Sequence, residues 1–448
     1  MANTGQIAHS STVTGFDRLQ GVWRSRGYGK VLLIDGDEYT IFEETALSCL
    51  KLHAGSLDEL DHSYENLEVS PNQQAFSARR ATGVTRIGFR RLKSLPATAA
   101  EARARDKDDP DYNFEVFWHT FAEHYALFAL KGVDWHEMYQ RFRPRITSGS
   151  DPELLYATLA AMLRPLRDGH VHLHTPWGHY SAGALPALYK RLDVELEDAG
   201  EHRETTSYLG ELRDWLREVI HENYLGGRVR HGANHLVEWG RLNETTGYLN
   251  IRAMAGQSGK VGHPANDLAA THVVMQQVLS ELGGLPNLAV DIRGNGGGYD
   301  GVALCFASYL MDRKRLAFTK SARHGGGFTG QQAVCVTPAP HDTYGGNLFV
   351  LTSELTASAA EIFVLALLQH PHLTLIGEPT LGILSDTLER HLPNGWHMTL
   401  SNEVYRAFDG ETYEDVGIPP HIRLPFLGRV GRESGRDPML DRVLKLAR

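Results

Sequence analysis

Thr356-Ala357-Ser358-Ala359-Ala360-Glu361 follows a strand-like apolar run, LFVLTS, and leads into a helical one. Small residues let the backbone turn tightly from strand to helix. The helix then buries Ile362, Phe363, Ala366 and Leu367 on one face. Ser358 is thereby placed at a helix N-terminus, where unpaired N–H groups and the helix dipole favour negative charge. A serine so placed is either an N-cap or a nucleophile, and the second reading requires a base and an oxyanion site nearby. Asp291-Ile292-Arg293-Gly294-Asn295-Gly296-Gly297-Gly298 ends another strand-like run. Its glycines let backbone N–H groups face a ligand with no Cβ in the way, or simply make a tight turn. The run matches neither GxGxxG nor GxxxxGK[ST], so a phosphate loop is a weak reading of it.

A third cluster is His170-Val171-His172-Leu173-His174, with His179 close behind. On a strand, alternate residues share a face, so three imidazoles there could converge on a zinc ion. Zinc hydrolases of that kind also need ligands at later strand ends, where this chain carries the glycine turn and the serine motif instead. His119, His124, His231 and His235 read as core or surface residues, and His391 and His397 carry no further signal.

These groups need elements to hold them. At 448 residues and about 150 per domain, the chain has room for roughly three domains. With 42% hydrophobic and 22% charged residues it can bury a core. A net charge of −9 argues against a protein built to hold nucleic acid or anionic lipid over a broad surface. No apolar stretch is long enough for a transmembrane helix, and residues 1–14, polar and Ser/Thr-rich, show no secretory signal pattern and read as frayed. Cys49, Cys305 and Cys335 are few and far apart, which suits reduced thiols in a cytoplasmic protein.

From Trp23 to Leu92 the pattern is strand-like, with a hairpin at Asp35-Gly36-Asp37. Glu101–Asp111 reads as a charged linker, and NFEVFWHTFAEHYALF as a helix. Asp151-Pro152 opens another helix, whose apolar stripe runs through Leu155, Leu159, Met162, Leu163 and Leu166. Gly169 is the candidate C-cap, which puts His170 just beyond the helix end. Residues 175–240 read as mostly helical. From 241 onward strand and helix alternate, the signature of an α/β core on a mainly parallel sheet. The expected organisation is an N-terminal antiparallel β domain (1–100), a helical segment carrying His170 (101–240) and the α/β core (241–448).

LAVDIRGNGGG, then LTASAAEIF, LIGEPTLG and Tyr413-Glu414-Asp415-Val416-Gly417-Ile418-Pro419-Pro420 resemble, in that order, the tail-specific or C-terminal processing serine peptidases, peptidase family S41. LRPLRDGHVHL resembles the histidine-bearing segment of the tricorn-like branch. The resemblance covers roughly 110–425 and implies the ClpP/crotonase-like α/β core of that family. It implies Ser358 as nucleophile and His170 as general base. The backbone N–H of Ala359 and of a glycine in the GNGGG turn, Gly297 by preference, would form the oxyanion hole. Glu414 matches the acidic residue that helps to orient the base in tricorn through a serine.

The departures from the family pattern are specific. The processing peptidases carry a base lysine in a Gly-Lys-Gly run; here the run is Gly382-Ile383-Leu384, and isoleucine cannot take a proton. Gly169 stands where tricorn has a serine before its histidine. Glu414 is then left to reach His170 directly, through water, or not at all. No PDZ-like segment lies between His170 and the core. The expectation is a serine peptidase with a histidine base, acting without cofactor or metal on a peptide or small acyl substrate, with no nucleic-acid or membrane partner and with a homo-oligomer left open. The alternatives are a non-peptidase acyl hydrolase or cyclase, a zinc hydrolase using the HxHxH run, and a non-catalytic ligand-binding member of the fold.

Overall fold

The computed structural model describes residues 15–260 and 262–447; the Ser/Thr-rich stretch 1–14 lies outside them. The centre of the molecule is a seven-stranded sheet. In spatial order its strands are Arg230–Gly232, Val237–Arg241, Thr246–Ile251, Asn287–Asp291, Asn347–Thr352, Leu373–Gly377 and Ile422–Arg423. The last five run parallel. Period-two alternation gives each strand two apolar faces. Leu249, Leu288, Val290, Val350 and Leu375 pack under the crossover helices Pro264–Leu282, Asp300–Ser308 and Ala359–Leu367. Tyr248, Ala289, Phe349, Leu351 and Ile376 face Thr205–Val219 and Pro438–Leu446 on the other side. The α/β reading of residues 241 onward holds element by element.

The N-terminal strands form a second seven-stranded sheet, antiparallel throughout, between Gly21 and Leu92. Its hairpin pairs Asp35 with Glu38 around Gly36, whose φ of 61° suits the turn. This sheet shares one hydrophobic cluster with the helices Pro110–His124 and Pro152–Leu163: Trp23, Leu32, Phe76 and Phe89 belong to it with Phe114, Phe117, Phe121 and Leu159. The cluster extends to a four-stranded sheet ordered Thr387–His391, His397–Ser401, His172–Thr175 and Gly178–Ser181, through Leu173, Leu388, Met398 and Leu400.

Three local readings need correction. The charged stretch 101–111 is not all linker: helix Ala97–Ala104 takes its first part, because Ala-rich sequence outweighs the charge, and Asp109 caps the helix that begins at Pro110. Residues 175–240 hold two helices, Ala187–Asp198 and Thr205–Val219, but also the short strands Gly178–Ser181, Arg230–Gly232 and Val237–Arg241, each paired antiparallel with a strand close by in sequence. The left-handed residue that follows helix Pro152–Leu163 on the way to His170 is Arg167 (φ 47°), not Gly169, since a short 3₁₀ turn, Arg164–Leu166, intervenes. All three cysteines carry free thiols. No described helix is long and apolar enough to cross a membrane.

Candidate active site

The serine motif leaves the C-terminal end of Asn347–Thr352, and the glycine turn leaves the neighbouring strand Asn287–Asp291. Side chains stitch the two together. Ser353 Oγ donates to the Arg293 carbonyl (2.5 Å), Thr356 Oγ1 to the Ile292 carbonyl (2.9 Å), and the Ala357 N–H to the Asn295 carbonyl (3.1 Å). Arg293, itself buried, donates to both carboxylate oxygens of Asp291 and to both of Asp437 at the start of the C-terminal helix, at 2.5–3.0 Å. Such a paired, hydrogen-bonded cation fixes geometry more than it adds net stability.

Ser358 sits at φ 54°, ψ −125°. An ordinary N-cap residue lies in the β region. A non-glycine residue held here costs about 1–3 kcal/mol and persists only where the surroundings over-determine it. Glu361 supplies that constraint. Its fully buried carboxylate accepts the Ser358 N–H (3.0 Å), the Ile383 N–H (2.9 Å), the Gly382 N–H (2.7 Å) and the Thr380 hydroxyl (2.6 Å). Burial, opposed by those donors, leaves its carboxyl at about 7. Ser358 is half-buried while Ala357 and Ala359 beside it are buried, so the serine is the part of the turn that solvent reaches.

Gly297 lies directly against this turn at φ 102°. A Cβ there would sit 2.7 Å from Ser358 Cβ and 3.0 Å from the Ala359 nitrogen, so only glycine fits. Its N–H, expected to face an oxyanion, instead donates to Asn295 Oδ1 (2.9 Å), while Asn295 Nδ2 donates to the Ile251 carbonyl (3.0 Å). Both amide ends of Asn295 are thereby assigned by their partners.

His170 arrives from another part of the fold. Its N–H donates to Asp168 Oδ1 (2.9 Å), and its carbonyl accepts the Thr399 hydroxyl (2.7 Å). Asp168 is fully buried and its second oxygen accepts the Tyr125 hydroxyl (2.9 Å). The imidazole Nδ1 is buried with no hydrogen-bond partner. Burial holds the imidazole below its ordinary range, against the carboxylates of Asp168 and Asp386 and a hydrogen bond to the Ser385 backbone. Ile383, at the position of the family lysine, turns its methyls towards Gly169, whose Cβ would meet them at 3.3 Å. The segment 382–386 therefore has Glu361 and the serine turn at one end and His170 at the other. No hydrogen bond joins the Ser358 and His170 side chains among the described residues.

Glu414 does not bond to His170. Its Oε2 accepts the Leu384 and Ser385 N–H groups, both at 3.0 Å, and its buried Oε1 has no partner. Burial, with Asp168 and Glu361 nearby, pushes its carboxyl well above the usual range. It acts on the segment that His170 rests against.

Sequence reasoning passed over Asp168, Tyr125, Glu361 and Thr399. Two of these left a signal: Ser358-Ala359-Ala360-Glu361 has the capping-box spacing, and Asp168 stands two residues before the histidine. Nothing local marks Tyr125 or Thr399. As for the HxHxH run, no group of three His, Cys, Asp or Glu side chains among the described residues is placed to hold a metal ion.

The class the fold defines is an α/β core in which a serine at positive φ, on the turn leaving a parallel strand, packs on a glycine turn from the neighbouring strand. Residues 245–424 match the family model of peptidase family S41, and residues 106–163 match that of the tricorn protease C1 domain. A putative peptidase from Parabacteroides merdae shares the fold at a TM-score of 0.60 and 22% identity, covering 76% of this chain and 97% of that one. Mature CPAF does so at a TM-score of 0.52 and 13% identity, covering 76% of this chain and 96% of its own. A protein of Chlamydia trachomatis serovar D is 28% identical over 114 residues, 25% of this chain. That match spans about a fifth (19%) of the relative's length.

Proposed function

We propose that this S41 domain is a catalytically active serine peptidase in which Ser358 is the nucleophile and His170 the general base, with no Ser–Lys dyad. The observation that carries the reading is the backbone of Ser358, held at positive φ by a buried carboxylate at the mouth of a strand–helix turn. An N-cap serves its purpose without that strain. The nucleophile elbow of serine hydrolases uses it to lift the hydroxyl clear of the sheet.

In the reaction His170, neutral near pH 7, takes the Ser358 proton as Oγ attacks a peptide carbonyl. The oxyanion is received by the Ala359 N–H and by the Gly297 N–H, which exchanges Asn295 Oδ1 for the substrate oxygen. Each such donor is worth about 3 kcal/mol to the transition state. His170 then protonates the leaving amine, and water repeats the cycle on the acyl-enzyme. Ile383 removes the lysine alternative. Glu361, Glu414 and Asp168 are positioning residues.

The test is intact-mass analysis after treatment with a fluorophosphonate, wild type against Ser358→Ala. A single adduct on the wild type that is absent from the variant supports an activated Ser358. Equal labelling of both would remove the assignment.

A further inference from the structure

The histidines left over from the active site form a pattern across the four-stranded sheet. Register sets His391 opposite His397, His397 opposite His174, and His174 opposite His179, one histidine on each of the four strands. Neighbouring ring centroids are 5.0, 5.4 and 4.4 Å apart, and His172 extends the row at 5.1 Å from His179. Leu173, Met398 and Leu388, on the same strands, point the other way into the core, so the row occupies the outer face. His174 and His179 are exposed.

One pair is already close. His172 Nδ1 and His179 Nε2 are 3.0 Å apart. Two nitrogens bound at about 2.0–2.1 Å to one ion lie about 3.3 Å apart in tetrahedral geometry and about 2.8 Å in square-planar geometry, so the pair falls between the two. As they stand, the two rings share a proton; a metal ion would replace it.

We propose that this row is a binding site for a divalent first-row transition ion, Cu²⁺ or Zn²⁺, with His172 Nδ1 and His179 Nε2 as its paired donors. The third donor is His174, beside His179, after rotation of its exposed ring; no third ligand converges without that rotation. Imidazole donors with few carboxylates suit copper and zinc over magnesium or calcium. The site differs from a catalytic zinc centre: it lies on a sheet face, takes its ligands from across strands, and leaves His170 to the serine. Bound metal would tie Gly178–Ser181, an edge strand, to its neighbour.

The test is calorimetric titration of chelator-stripped full-length protein with CuCl₂ and with ZnCl₂, read beside melting temperature. The wild type should take up one ion per chain and melt higher with it, since a ligand that binds only the folded state stabilises it. His172→Gln/His179→Gln should bind at least about thirtyfold more weakly and lose the melting shift, while its metal-free melt stays near wild type. His341→Gln, an exposed histidine elsewhere, should change nothing. Should the double variant fail to fold, His179→Gln alone, on the exposed strand, reads the same loss. No uptake by the wild type, or equal affinity in the His172 and His179 variants, would overturn the site.

Discussion

The two halves of the candidate site are held by different kinds of structure. Ser358 is fixed by a carboxylate three residues downstream and by two adjacent parallel strands: Glu361 takes its N–H, and the glycine turn packs against its Cβ. His170 is fixed from far away. Tyr125 reaches Asp168 across 43 residues, Thr399 reaches the His170 carbonyl across 229, and Glu414 holds the Leu384–Ser385 backbone that the imidazole rests against. The proposed nucleophile is therefore a property of one strand–turn–helix unit, whereas the proposed base depends on the packing of the helices and the small sheet onto the core. Damage to the core should cost both, and damage to the helical half should cost the base alone.

The largest effects separate the halves at their reacting atoms. Ser358→Ala should lower kcat/KM for any cleaved peptide by about 10⁴-fold or more with the melting temperature unchanged. Ser358→Gly removes the Cβ that makes positive φ costly, so it should be as inactive as Ser358→Ala yet melt higher, by about 1 kcal/mol or more of stability. Equal melting of the two would mean that the turn is not strained. His170→Ala should lose about 10³–10⁴-fold in kcat while still accepting the fluorophosphonate at a reduced rate. Undiminished turnover would return the base to some other group.

Glu361 tests the nucleophile side alone. Replacing it with leucine strands three N–H donors and a hydroxyl in a fully buried place, at about 1–3 kcal/mol for each buried group left unpaired. Glu361→Leu should thus lose both stability and labelling at Ser358. Glu361→Gln restores the shape with one acceptor oxygen and should recover the fold in part. A Gln variant no better than Leu would show that the charge, and not the number of acceptors, holds the turn.

The same contrast explains what could be read before the structure. The sheet, its crossover helices and the serine and glycine turns come from short-range pattern: period-two apolar runs, small residues at the turns, and Glu361 three residues after Ser358. Ile383 in place of a lysine could be seen in the same way. The base side could not. Whether Glu414 touches His170 is decided by the path of residues 382–386, and the αL cap moved to Arg167 because a 3₁₀ turn intervened. The histidine row is the clearest case. HxHxH was visible, but His391 and His397 join it only through strand register more than two hundred residues away.

Smaller effects are expected on the base side, where positioning is spread over several contacts. Asp168→Asn keeps the size of the side chain but puts a donor NH₂ where one of two acceptor oxygens stood, so either the His170 N–H loses its acceptor or the Tyr125 hydroxyl must turn from donating to accepting. At about 1–3 kcal/mol for a lost bond to a charged group, kcat should fall by roughly ten- to a hundredfold. KM should barely move, because Asp168 is buried and touches no substrate.

Tyr125→Phe is the gentlest probe of the same chain of contacts. It removes one hydroxyl and leaves Asp168 Oδ1 on the His170 N–H, so stability should drop by about 1 kcal/mol and kcat by a few-fold. Labelling at Ser358 should stay close to wild type, because the serine turn shares no hydrogen bond with Tyr125. A double-mutant cycle with His170→Ala decides the point. If Tyr125 works by holding the base, its kinetic effect should vanish once His170 is gone, while its effect on melting persists. If both effects persist, the Tyr125 hydroxyl supports the fold through its bond to buried Asp168 and contributes nothing specific to the imidazole.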